Sequence, residues 1–150
     1  MTSISPQNPN HEFDEILEKR KKGSLKIYLG YAAGVGKTYS MLNDAINLMN
    51  SGRDVVVGYI ETHNRRETVE LDYWLPHIPR KKIEYKNTVL EEMDLDAILA
   101  KKPEIVLVDE LAHTNVEGSR HLKRYQDILE LLEAGIGIYL RGLGLVPPDA

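Results

Sequence analysis

The stretch that decides the fold runs Leu25-Lys26-Ile27-Tyr28-Leu29 and then Gly30-Tyr31-Ala32-Ala33-Gly34-Val35-Gly36-Lys37-Thr38. A short, mostly apolar run predicts a strand, and the residues from Lys37 to Asn50 predict a helix closed by Gly52, with Met41, Leu42, Ala45, Ile46, Leu48 and Met49 as a wide apolar stripe. The loop between them has the strand-to-helix context of a phosphate-binding turn. Glycines at 34 and 36 let successive N–H groups point inward at a polyphosphate, with no side chain in the way. The helix start adds the positive end of its dipole. Lys37 is placed to neutralise β- and γ-phosphates, and the Thr38 hydroxyl to ligate Mg²⁺. One position departs from G-x-x-x-x-G-K-[ST]: the first glycine is replaced by Tyr31, and Gly30 sits one place earlier. That reshapes the turn leaving the strand and sets the Tyr31 ring near a bound nucleotide. The alternative is a glycine-rich strand-to-helix turn that holds no ligand.

Outward from this loop the chain keeps a regular beat. Strands are expected over 54–60, at Ile83-Glu84-Tyr85, over Ile105-Val106-Leu107-Val108 and over 136–140; helices over 66–74, 90–101 and 121–134. Pro76 and Pro79 stop the first of these helices, Pro103 the second and Gly135 the third. In the last helix Leu122, Tyr125, Ile128, Leu129 and Leu132 mark the face expected to be buried, and Tyr73 and Trp74 are expected to pack under the Pro76 turn. Strands alternating with helices across short connections imply βαβ units. The expected fold is α/β, a three-layer P-loop NTPase-like domain with a mostly parallel sheet. Residues 1–23 read as a flexible or helical leader, 24–140 as the nucleotide-binding domain and 141–150 as an atypical tail. Within the leader, His11 to Lys22 carries Phe13, Ile16 and Leu17 at helical spacing and ends in Lys19-Arg20-Lys21-Lys22.

Composition narrows the function. At 150 residues there is room for one good core. A net charge of -4 argues against a dedicated nucleic-acid binder, for which a basic excess is expected. The absence of cysteine excludes disulfides, thiolate metal sites and cysteine catalysis. No run approaches the roughly 20 apolar residues a membrane span needs. The first ten residues lack the basic-then-apolar plan of a secretory signal, so the expected compartment is the cytoplasm.

A second site follows the most apolar run. Asp109 and Glu110 end the strand at 105–108, and a parallel strand delivers a terminal acid to the sheet edge where ligands bind. Asp109 is expected to hold Mg²⁺ through water, and Glu110 to polarise an attacking water. Alone, Asp-Glu after four apolar residues reads equally as a surface turn. Beside a phosphate loop it is the expected second half of one site. His113 and Asn115 in the next loop either sense a γ-phosphate or cap the turn. Arg65, Arg66, Arg120 and Arg124 are candidate phosphate or partner contacts, with the ordinary surface charge as the plainer reading. His113 and His121, with no third ligand, do not make a zinc site.

Five blocks together resemble one family: 30–39, 55–63, 90–100, 107–115 and 118–127. They look like the amino-terminal cytoplasmic domain of the KdpD sensor histidine kinases, which govern potassium uptake in bacteria, and the likeness spans about residues 24 to 139. The resemblance implies a regulatory ATP-binding domain of a two-component system, in a family where a universal-stress-like domain, four membrane spans and the kinase core follow. Carried over by position, Gly34, Val35, Gly36, Lys37, Thr38 and Tyr39 form the nucleotide loop, and Asp109 and Glu110 the second motif. Neither His63, His113 nor His121 takes the role of the phosphoaccepting histidine. The family's Thr-Thr-Leu-Asn-type continuation is replaced here by Leu140-Arg141-Gly142-Leu143.

The expected function is thus an ATP- and Mg²⁺-binding regulatory module, partnered by the rest of a sensor kinase or by a separate kinase chain, with at most slow hydrolysis. The alternatives are a stand-alone small P-loop NTPase or phosphotransferase, and an interaction scaffold whose nucleotide site is vestigial.

Overall fold

The computed structural model describes residues 23–30, 37–62 and 65–143. Four strands form one sheet in the order β1 (Leu25–Gly30), β6 (Gly137–Leu143), β5 (Ile105–Val108) and β2 (Val55–Tyr59), every pair parallel. The central strand β5 is an uninterrupted apolar run because both of its faces are covered, and all four of its positions are buried. On one face α1 (Lys37–Asn50) packs Met41, Leu42 and Ala45 against Val55, Val57, Ile105 and Leu107, with α2 (Arg66–Trp74) beside it. On the other face α3 (Leu95–Lys101) and α4 (Arg124–Glu133) bury Ile98, Ile128 and Leu131 against Val106, Val108, Ile138 and Leu140. Helix, sheet and helix make three layers.

α3 approaches β2 closely because position 58 has no side chain. A Cβ on Gly58 would lie 2.8 Å from Val106 Cγ2 and 3.0 Å from Ile98 Cδ1. The β2 register shifts at this point, between Val57 and Tyr59.

Four expectations are corrected. The helix over 90–101 begins only at Leu95, where the Asp94 side chain accepts from the Ala97 N–H as N-cap. Thr88–Glu92 before it is strand β4, paired antiparallel with β3 (Lys81–Tyr85) through a turn in which Lys86 and Asn87 both have positive φ, 49° and 66°. In α4 the buried residues are Arg124, Asp127, Ile128 and Leu131, while Leu122, Tyr125 and Leu129 are exposed. Tyr73 and Trp74 are also exposed and meet edge to face, ring centroids 5.8 Å apart. The last strand is longer than expected and runs on to Leu143.

Ile98 is the test of this packing. Ile98→Ala is expected to cost about 2–5 kcal/mol, the range for a large-to-small change at a fully buried site, read from the urea midpoint.

Candidate functional site

All four parallel strands send their carboxyl ends to one edge, and the sequence motifs gather there. β1 leads into the connection that opens α1 at Lys37. β5 ends at Asp109, separated from β1 by β6 alone and therefore by about 10 Å between strand axes. Gly34, Val35, Gly36 and Tyr31 lie outside the described residues, as does His63. The backbone of Lys37 is the first residue of α1. Thr38 is buried, and its Oγ1 has no hydrogen-bond partner among the described residues. Tyr39 is exposed. An orphaned hydroxyl in the first turn of a helix costs desolvation free energy unless something polar reaches it.

Asp109 is wholly buried, and its carboxylate is already engaged. Oδ1 accepts from Arg141 Nη1 at 2.8 Å and from the Glu110 N–H at 2.8 Å, while Oδ2 accepts from the Glu61 N–H at 3.2 Å. Arg141 stands on β6, paired in register with Tyr28 of β1, so its guanidinium sits between the two strands that carry the motifs. Its Nε is buried with no partner among the described residues. Glu110 adopts φ 61°, a left-handed conformation uncommon for a residue with a side chain. Its side chain is partly exposed, and its Oε1 lies 3.9 Å from His113 Nδ1.

Behind this edge lies a buried polar network that sequence reasoning missed. Arg124, one of four arginines offered as a ligand contact, is fully buried. Its Nη1 donates to the Asp109 carbonyl at 2.8 Å, and its Nη2 to Glu92 Oε1 at 3.0 Å. Glu92 Oε2 lies 2.7 Å from His113 Nε2 and accepts from the Val116 N–H at 2.7 Å. Burial pushes the Glu92 carboxyl up, but the His113 and Val116 hydrogen bonds and the Arg124 charge outweigh it and hold the pKa below the ordinary value. The Tyr59 ring is clasped between two guanidinium groups, Arg80 at 4.2 Å and Arg124 at 4.6 Å.

His113 and Asn115 both serve the turn. Asn115 Nδ2 donates to the His121 carbonyl at 2.9 Å and to Asp127 Oδ2 at 3.0 Å. Burial raises the Asp127 pKa from its ordinary value, with the Asn115 hydrogen bond pulling against it. Arg120 is taken up by Asp96 and Glu130. Arg65 and Arg66 are exposed. Among the described residues no group of three or more His, Cys, Asp or Glu side chains converges as a metal site.

Removing Arg124 leaves Glu92 Oε1 buried without its guanidinium partner, with only His113 and the Val116 N–H still holding Oε2. Arg124→Met is expected to destabilise by about 3–5 kcal/mol in chemical denaturation. The depressed Glu92 pKa adds stability above the ordinary carboxylate pKa, and this is lost as pH falls through the folded value. The stability gap between the wild type and Glu92→Gln should therefore shrink as pH is lowered from about 5 to 3; a gap that stays constant would refute that role.

Comparison with known proteins agrees with the block-by-block resemblance. The family described as "KdpD: Osmosensitive K+ channel His kinase sensor domain" matches residues 21–140. Sensor protein KdpD of Clostridium acetobutylicum is 52% identical over 129 residues, which is 86% of this chain and 14% of that one. Sensor protein KdpD of Escherichia coli is 48% identical over 129 residues, covering 84% and 14%. The putative sensor protein KdpD of a Synechocystis species is 47% identical over 119 residues, covering 79% and 32%. The chain thus spans about one seventh of the length of the first two relatives (14% in each case). A chain of the bacteriophage Phi-29 viral genome packaging motor assembly overlays with a TM-score of 0.40 at 13% identity, covering 97% of this chain and 49% of that one, too loosely to bear on the fold. No helix among the described residues is long and apolar enough to cross a membrane. With the family match covering residues 21–140 and relatives close to half identical, the chain belongs to the KdpD sensor-domain family.

Proposed function

We propose that this chain is a nucleotide-binding regulatory domain of P-loop NTPase-like architecture, taking the triphosphate of ATP at the β1–α1 connection and passing its occupancy to the rest of a sensor kinase. The observation that carries the reading is Thr38: a buried hydroxyl with no partner among the described residues, in the first turn of α1, at the carboxyl edge of a parallel sheet. Main-chain amides around residues 34–38 and the α1 dipole would grip the phosphates, and Lys37 would supply the countercharge. Arg141 Nε, with no partner among the described residues, adds a second donor on the strand beside β1.

The residues present fit Mg²⁺ unevenly. Thr38 offers an oxygen with no partner among the described residues; Asp109 already accepts three hydrogen bonds, two on Oδ1 and one on Oδ2, which leaves Oδ2 one lone pair. Thr38 would hold the ion directly and Asp109 Oδ2 directly or through water, and the ion would supply charge neutralisation at the phosphates. Binding contacts that differ between two conformations by a few kcal/mol suffice to shift a larger kinase. A second reading, slow nucleotide hydrolysis, is favoured by Glu110, whose left-handed backbone sets a solvent-accessible carboxylate next to Asp109.

Calorimetry with ATP and magnesium should give micromolar-range binding by the wild type. Lys37→Ala is expected to weaken it about ten- to a hundredfold, the value of one charge-assisted contact, with the melting temperature unchanged. No detectable affinity in the wild type would overturn the nucleotide reading. Brisk multiple-turnover hydrolysis by the isolated chain would overturn the regulatory one.

A further inference from the structure

The connection between β5 and α4 closes over a small cavity set apart from the nucleotide edge. Its polar wall comes from Asp94 before α3, from Asn115 and Ser119 in the connection, and from Asp127 on α4. Glu92, the partner of Arg124, also borders it. The cavity measures about 20 Å³, room for one water or one small bare ion.

Asn115 is 7% exposed, and both N–H groups of its amide are spent, on the His121 carbonyl and on Asp127 Oδ2. Turning the amide over would set its oxygen against those two acceptors, so its orientation is fixed. The atom left over is Oδ1, a carbonyl oxygen buried with no hydrogen-bond partner among the described residues. Ser119 Oγ is in the same condition. An amide oxygen can only accept, so whatever satisfies it must be a donor or a cation.

A water would meet part of this demand. It has two hydrogens, and the wall presents Asn115 Oδ1, Ser119 Oγ and the carboxylates of Asp94 and Asp127. The lone pairs of that water would then face other oxygens. Asp127 adds an argument from charge. It is 5% exposed, and burial is the leading influence on its carboxyl, raising its pKa against the Asn115 hydrogen bond and the charges of Arg124 and His121. Its negative charge is thus under-compensated. A wall of oxygens selects a hard cation, and one buried carboxylate with an amide and a hydroxyl oxygen suits a single positive charge. Divalent ions are held by larger oxygen sets, and no three acidic or imidazole side chains converge here among the described residues. Two cations of the protein stand at the mouth. Arg120 is taken up by Asp96 and Glu130. Lys81 is exposed, and its charge opposes an ion inside.

We propose that this cavity binds one monovalent cation, an alkali or ammonium ion, through Asn115 Oδ1, Ser119 Oγ and the Asp127 carboxylate. The ion joins the β5–α4 connection to α4 at a point where main-chain pairing does not.

The test is the melting temperature of the whole chain at fixed ionic strength, in sodium, potassium, rubidium or ammonium chloride. Tetramethylammonium chloride, whose cation is too large to enter, is the reference. At least one small cation should raise the midpoint by about 2 °C or more, and the rise should saturate. Ser119→Ala should melt like the wild type in the reference salt and lose that rise. Lys81→Met, by removing the like charge, should bring saturation at a concentration at least about twofold lower. Equal wild-type midpoints in every salt would overturn the proposal and leave water as the occupant. A rise that survives in Ser119→Ala would also overturn it, by putting the ion elsewhere. So would a Lys81→Met midpoint lowered equally in every salt, which would identify the Lys81 ammonium as the occupant. Crystals grown in rubidium chloride should show an anomalous peak against Asn115 Oδ1; none there would overturn the proposal even if Ser119→Ala fails to fold.

Discussion

The guanidinium of Arg124 is the constraint on which the ligand edge depends. A cation removed from water must find compensation inside the protein, and Arg124 finds it in three places at once: the carbonyl of Asp109, the carboxylate of Glu92 and the face of Tyr59. These partners come from the end of β5, the end of β4 and the end of β2. One side chain thus ties the end of β4 to the ends of β5 and β2, which are themselves joined by the Asp109 N–H to Tyr59 carbonyl hydrogen bond at 2.8 Å. Glu92 extends the constraint through His113 and the Val116 N–H into the connection between β5 and α4. A connection of that length is uncommon without its own regular structure, and here cross-links take its place.

Much of the sheet and its helical layers was legible because periodicity and punctuation agree there. Val55–Val57 and Ile105–Val108 are too apolar and too short for anything but buried strands, and α1 matches its expected limits at Lys37 and Asn50. The hairpin was hidden for a physical reason. Its strands are largely exposed on both faces, so no alternation marks them, and its turn uses Lys86-Asn87 in place of an Asn-Gly pair. The site was only half legible. Asp109 at the end of an apolar strand announces itself, but the cations that hold it do not. Arg124 shares a helical face with Ile128 and Leu131, spaced by four and seven, and that was the available signal. The more apolar set of Leu122, Tyr125, Leu129 and Leu132 outweighed it. Arg141 lay beyond the apolar core of β6 and read as tail.

Thr38 and Asp109 show two different states of readiness. The hydroxyl is buried and without a partner among the described residues; the carboxylate is buried and accepts three hydrogen bonds. Preorganised sites usually combine such groups, since the satisfied acid fixes local geometry while the unsatisfied group retains free energy for a ligand. Arg141 joins the two by standing on the strand between them, its Nη1 spent on Asp109 and its Nε unspent.

The hairpin of β3 and β4 forms a separate two-stranded sheet, and a lone hairpin is marginal in water. Glu92, its last residue, is also the partner of Arg124, so the same ion pair that shapes the ligand edge anchors the hairpin to the body of the protein. Among the described residues no strand pairs with either outer edge of the hairpin, which Lys81, Lys82 and Lys86 flank. Loss of the anchor would therefore surface as a tendency to polymerise strand on strand, a solubility defect with its origin in the interior.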